Sequence, residues 1–118
     1  MNNIDVIEKL LKQFPELINE YEENKDYLEG LAYLVFEDIF VVYIINNIKN
    51  KDMNRISKIA YFIEEMLAYK DEEIETLIVV AVLEPLVFER EDIGSINQWF
   101  GKITRREIKK LEQYYFKE

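Results

Sequence analysis

The sequence predicts an all-α fold, a compact irregular bundle of about six helices, and three observations carry that expectation. Only three glycines and two prolines interrupt 118 residues, and Leu, Ile, Glu and Lys favour long helices. Apolar residues recur at i, i+3 and i+4 through most of the chain. The run with the most strand-like composition, Ile39 to Ile45, has no partner run set off by turn residues. At 49% apolar and 33% charged, the composition is that of a globular chain. Its length fits one domain, residues 1–118, able to bury roughly two-thirds of its unfolded surface.

A first helix is expected from Ile4 to Phe14, with Asn3 as N-cap and an apolar stripe of Ile4, Ile7, Leu10, Leu11 and Phe14. Pro15 lacks an N–H, so it suits the first turn of a short second helix reaching about Tyr21. The polar stretch from Glu20 to Asp26 reads as a loop or frayed end. A third helix should start at Tyr27 or Leu31 and end at Ile48. From Leu31 to Ile48, 14 of 18 residues are apolar, the exceptions being Glu37, Asp38, Asn46 and Asn47. A helix apolar on every side should be buried on every side.

Asp52 caps a fourth helix, Met53 to Tyr69, whose stripe is Ile56, Ile59, Ala60, Ile63, Met66 and Leu67. Asp71 caps a fifth, with Glu72, Glu73 and Glu75 in its first turn. Pro85 should kink or end that helix, because its ring clashes with the carbonyl four residues back. A short helix should open at Asp92, run through Ile96, Trp99 and Phe100, and stop at Gly101. Thr104 and Glu107 have capping-box spacing for the last helix. The fourth and fifth helices form an αα-hairpin of the size used in HEAT-type repeats. The chain shows no clear internal self-similarity, so HEAT-like packing stands as the alternative to an irregular bundle.

Composition excludes much chemistry. Without cysteine there are no disulfides, zinc–thiolate sites or thiol nucleophiles. Without histidine the commonest general base and imidazole ligand are missing, so a Ser-His-Asp triad is impossible. Carboxylates, Lys, Arg and Tyr remain, and a bound metal would be a hard cation on oxygen ligands. No cofactor is expected. The start, Met1-Asn2-Asn3-Ile4-Asp5, has no charged-then-apolar signal pattern, and Glu37 and Asp38 interrupt the most apolar stretch. A cytoplasmic location is the expectation.

Charge is uneven. The net charge is −9, yet residues 102–118 hold six bases and three acids, a local +3 that leaves −12 for residues 1–101. Such a body repels nucleic acid and anionic membrane and attracts a basic protein partner. Two stretches concentrate the acids: residues 16–38 with eight acids and one base, and residues 64–92 with ten acids and two bases. Arg105, Arg106, Lys109 and Lys110 of the last helix read as a solvated face rather than a phosphate site. Tyr21, Tyr69 and Tyr114 lie off the apolar stripes and could anchor an interface.

Three carboxylates stand in apolar surroundings: Glu37, Asp38 and Glu84. By helical spacing at least one of the first two should be partly buried, and a buried carboxylate needs a partner or shifts its pKa. The candidate binding residues are therefore Glu37, Asp38 and Glu84, either holding Mg²⁺ or Mn²⁺ or meeting a basic ligand. The bland alternative is that they cap backbone N–H groups, pair with bases or accept from Tyr hydroxyls. Glu72 and Glu75 have the E-x-x-E spacing of helical nucleotide pyrophosphatases, but the sequence offers no second pair to complete it.

Phe14-Pro15-Glu16-Leu17, Phe36-Glu37-Asp38-Ile39-Phe40 and Leu83-Glu84-Pro85-Leu86, in this order, resemble a family of small uncharacterised bacterial all-helical proteins. The resemblance spans nearly the whole chain. It implies bacterial origin and a helical domain without assigned activity. The small acidic format is also similar to that of immunity proteins, a likeness of format alone. The first expectation is thus a non-enzymatic protein-binding module with an acidic surface, in its most concrete form of immunity or antitoxin type. The alternatives are a carboxylate metal-dependent hydrolase acting on nucleotides and a homo-oligomeric scaffold.

Overall fold

Helices form wherever the apolar stripe has helical spacing, and local side-chain caps fix where three of them begin. A computed structural model describes residues 2–117, leaving Met1 and Glu118 outside the description. Among the described residues there is no strand and there are eight helices. These are α1 (Asn3–Gln13), α2 (Ile18–Glu23), α3 (Lys25–Leu28), α4 (residues 32–49), α5 (Met53–Ala68), α6 (residues 72–88), α7 (Arg90–Ile93) and α8 (Lys102–Phe116). Single 3₁₀ turns, Pro15–Leu17 and Asn97–Trp99, join α1 to α2 and α7 to α8.

Asp52 and Asp71 cap α5 and α6 as expected, accepting from the Arg55 N–H and from the Glu73 and Ile74 N–H groups. The cap of α1 is Asn2 rather than Asn3, in a reciprocal box with Asp5. The stretch expected to be a loop, Glu20 to Asp26, is helical except for a break at Asn24. Polar side chains suffice there because α2 buries none of them. The helix expected to open at Asp92 instead runs Arg90–Ile93 and ends at Gly94, whose φ of +77° suits glycine. Ends of α4 and α5 are turned by Lys51 and Lys70 in the left-handed region, φ +56° and +57°.

The two longest apolar helices share one departure from regular geometry. Within α4, Phe36–Phe40 forms a π turn, and within α6, Val79–Leu83 forms another. A π turn inserts one residue, so the buried stripe slips by one position. The slip shows as three consecutive buried residues in each helix, Ile39-Phe40-Val41 and Ala81-Val82-Leu83. The second turn closes with the Glu84 N–H donating to the Val79 carbonyl, just before Pro85. Widening the helix there accommodates a residue that can neither donate nor approach the carbonyl four back. Pro85 therefore does not end α6, which continues to Phe88. The two π turns pack against each other.

Buried side chains form one cluster. At its centre Phe14, Phe40 and Phe62 meet with ring centroids 5.4–5.6 Å apart, and Phe36 adds an edge contact to Phe40 at 5.7 Å. The expectation of an α4 buried on every side is not met: Tyr33, Glu37, Asp38 and Val42 are exposed. No helix among the described residues is long and apolar enough to cross a membrane.

Candidate protein-binding surface

Residues 16–31 run along the outside of the bundle with few apolar residues, whereas residues 32–38 open α4, where Ala32, Val35 and Phe36 enter the core. Leu17 and Leu28 are buried, while Tyr21 is half-buried against the core. Every one of the eight carboxylates in this stretch is exposed: Glu16, Glu20, Glu22, Glu23, Asp26, Glu29, Glu37 and Asp38. Its single base, Lys25, lies 3.6 Å from Glu22. Eight acids less one base leave the segment at −7. Ile18, Tyr27, Leu31 and Tyr33 stand exposed among them.

The π turn explains why spacing misplaced Glu37 and Asp38. Counting 3.6 residues per turn puts at least one of them toward the core, whereas the inserted residue turns both to solvent. The Tyr27 hydroxyl donates to Asp38 Oδ2 at 3.0 Å, tying α3 to the π turn. That bond, together with the Asp38 charge, pushes the Tyr27 hydroxyl pKa up. The Tyr43 hydroxyl donates to Glu16 Oε2. Burial and this bond push Tyr43 up to about 12. Burial pushes the Glu16 carboxyl up, but the Tyr43 bond and the nearby Lys58 and Arg55 charges outweigh it and hold it below 4.5.

Glu84 is half-buried and accepts from the Tyr115 hydroxyl of α8 at 3.0 Å. Asp38 and Glu84 thus each bond a tyrosine, and Glu37 stands exposed beside Asp38. Among the described residues no group of three or more carboxylates is placed to hold a metal ion. Glu72 and Glu75 line one shallow depression with Thr76, Val79, Val80 and Glu107.

The other acidic stretch, residues 64–92, differs from the first. Only Glu72, Glu73, Glu91 and Asp92 of its ten acids are exposed. One of its carboxylates, Glu64, makes contacts that spacing gave no reason to expect. Glu64 accepts from the Ile103 and Thr104 N–H groups at 3.0 and 2.8 Å and from the Thr104 hydroxyl at 2.8 Å. It caps α8 from α5, so the expected Thr104–Glu107 box is replaced: α8 begins at Lys102, with Gly101 as a cap that has no side chain. Burial pushes the Glu64 carboxyl up, but the three hydrogen bonds and Arg105 hold it below 4.5. All six bases of residues 102–117 are exposed. Arg105 also donates to the Phe100 carbonyl at 2.8 Å, and Lys110 meets Glu107 at 3.2 Å.

No curated protein and no solved structure matches this chain. The three quoted motifs occupy the corner after α1, the first π turn and the exit from the second. A family model matches residues 7–115, and the chain therefore belongs to the family described as Domain of unknown function (DUF7674).

Proposed function

We propose that the chain is a non-enzymatic protein-binding module, of immunity or antitoxin type, that takes a basic protein on the face formed by residues 16–38. The observation that supports this most is the exposure of all eight carboxylates of that segment around exposed Ile18, Tyr27, Leu31 and Tyr33. A field of one sign steers a cationic partner, and aromatic and aliphatic side chains within it supply contact area once the partner has arrived. The Tyr27–Asp38 and Tyr43–Glu16 bonds hold this face on the bundle before binding, which lowers the ordering cost. The proposed setting is the bacterial cytoplasm, and a chain without cysteine suits its reducing conditions.

The test uses a basic protein recovered on the immobilised chain and measures its association by stopped flow. Replacing Glu22, Glu23, Asp26 and Glu29 with Gln should slow association by about tenfold or more, and rising salt should slow the wild type similarly. Association indifferent to both changes would remove the role assigned to this face.

A further inference from the structure

The last helix is held to the bundle differently from the other long ones. Among the described residues, α8 buries only Thr104 and Ile108 of its 15, whereas α5 buries seven of its 16. Ile103, Leu111 and Phe116 of α8 are half-buried against the core. Apolar burial therefore holds α8 much less firmly than it holds α5. The central ring cluster of Phe14, Phe40 and Phe62 draws nothing from α8, so the bundle keeps its centre without it.

Polar clips near the two ends of α8 add to that weak burial. In the first turn, Glu64 of α5 accepts from the Ile103 and Thr104 N–H groups and from the Thr104 hydroxyl. In the last turn, Tyr115 donates to Glu84 of α6 at 3.0 Å. Phe88 of α6 lies edge-on to Tyr115 at 4.8 Å but is itself 53% exposed, so that contact buries little area. The first clip is also the N-cap of α8, and Gly101 has no side chain to replace it. An undocked α8 loses its cap, and a 15-residue segment on its own is a marginal helix. Undocking and unfolding of α8 are thus one event, with two states rather than a graded fraying.

We infer that α8 is a displaceable strap: it opens as a unit from Gly101 onward while residues 2–100 stay folded. In the closed state it lies across α5, the second π turn and the end of α6. Opening uncovers the apolar side chains of those elements, a surface distinct from the acidic face of residues 16–38. Glu64 and Glu84 set how often that surface is displayed, because each holds one end of the strap.

Hydrogen exchange of the full native chain, read amide by amide in low concentrations of urea, tests the strap. The α8 amides should share one opening whose urea dependence is smaller than that of the α4 and α5 amides, because less surface is exposed. Ile7→Val, at a buried position of α1, should speed exchange in α4 and α5 about threefold or more. It should leave α8 unchanged, because α1 is intact in the open state. Glu64→Ala should speed α8 exchange about tenfold or more. Should Glu64→Ala fail to fold, the wild type and Ile7→Val decide. Exchange of α8 that matches α4 and α5 in rate and urea dependence, or that rises with theirs in Ile7→Val, overturns the inference. Rates graded inward from Phe116, with no shared opening, also overturn it.

Discussion

At Gly101, the missing side chain matters more than backbone freedom. Its φ is −77°, open to any residue. A Cβ there would lie 2.6 Å from the Glu64 carboxyl carbon and 2.8 and 2.9 Å from its oxygens. The carboxylate is the mobile end of a long side chain, so it would swing away, and the loss would be the cap on α8. Gly101→Ala should therefore cost about 1–2 kcal/mol in denaturant melts. In a Glu64→Ala background the same change should cost far less, and equal costs in both backgrounds would refute the coupling. The same carboxylate gives a pH dependence. Glu64 and Glu16 have folded-state pKa values below 4.5, so near that pH the unfolded chain binds more protons. The stability they contribute is full above about 4.5 and is lost as pH falls through their folded values. Tyr43 runs the other way: raised from 10.0 to about 12, its contribution is full below 10.0 and is lost as pH rises through 12. Melts from neutral pH into acid should show a shallower loss for Glu64→Gln than for wild type, and parallel curves would contradict this. No local spacing could reveal Glu64, because its partners lie 39 and 40 residues away.

Two helix starts were legible in the sequence, because a cap is a local event. Asp52 and Asp71 serve as read, and Pro15 occupies the turn where its missing N–H is harmless. Lys51 and Lys70 were less legible, since a left-handed lysine has no sequence signature. Each bears the Cβ penalty that glycine avoids at a helix end. Lys51→Gly and Lys70→Gly should each raise stability by about 0.5–1 kcal/mol, less what glycine adds to the entropy of the unfolded chain. A fall in melting temperature for both would show that the lysine side chains contribute something the backbone does not. The π turns were the main illegible feature of the elements. A rule of 3.6 residues per turn assumes constant phase, and the inserted residue breaks it in the middle of α4 and of α6. The runs Ile39-Phe40-Val41 and Ala81-Val82-Leu83 are where the slip is recorded, but an all-apolar run gives no hint of which residue is the extra one.

For the molecule as a whole, charge and apolar exposure separate three regions. Residues 16–38 combine −7 with exposed aliphatic and aromatic side chains, the six bases of residues 102–117 are all exposed, and Phe88, Tyr114 and Tyr115 form an exposed aromatic patch at the ends of α6 and α8. Rising salt should weaken capture of a basic protein by residues 16–38. A salt series on that equilibrium therefore tests the assignment. The radius of gyration, 13.6 Å, is that of a compact chain of this length, so the acidic wrapping lies against the bundle rather than extending from it.

By itself the sequence determined the all-helical class, the caps of α5 and α6, the exclusion of histidine and cysteine chemistry, and the two acidic stretches. Each of these follows from composition or from residues within a turn of one another. Only the tertiary structure decided which acidic stretch is fully displayed, that Glu37 and Asp38 face solvent, that Asp38 and Glu84 accept from tyrosines, and that Glu64 caps a helix beginning at Lys102. Those outcomes depend on the phase of two π turns and on contacts between distant segments. Glu37, Asp38 and Glu84 sit in apolar helices because the inserted residue carries the first two out of the core, while Tyr115 satisfies the third at its edge.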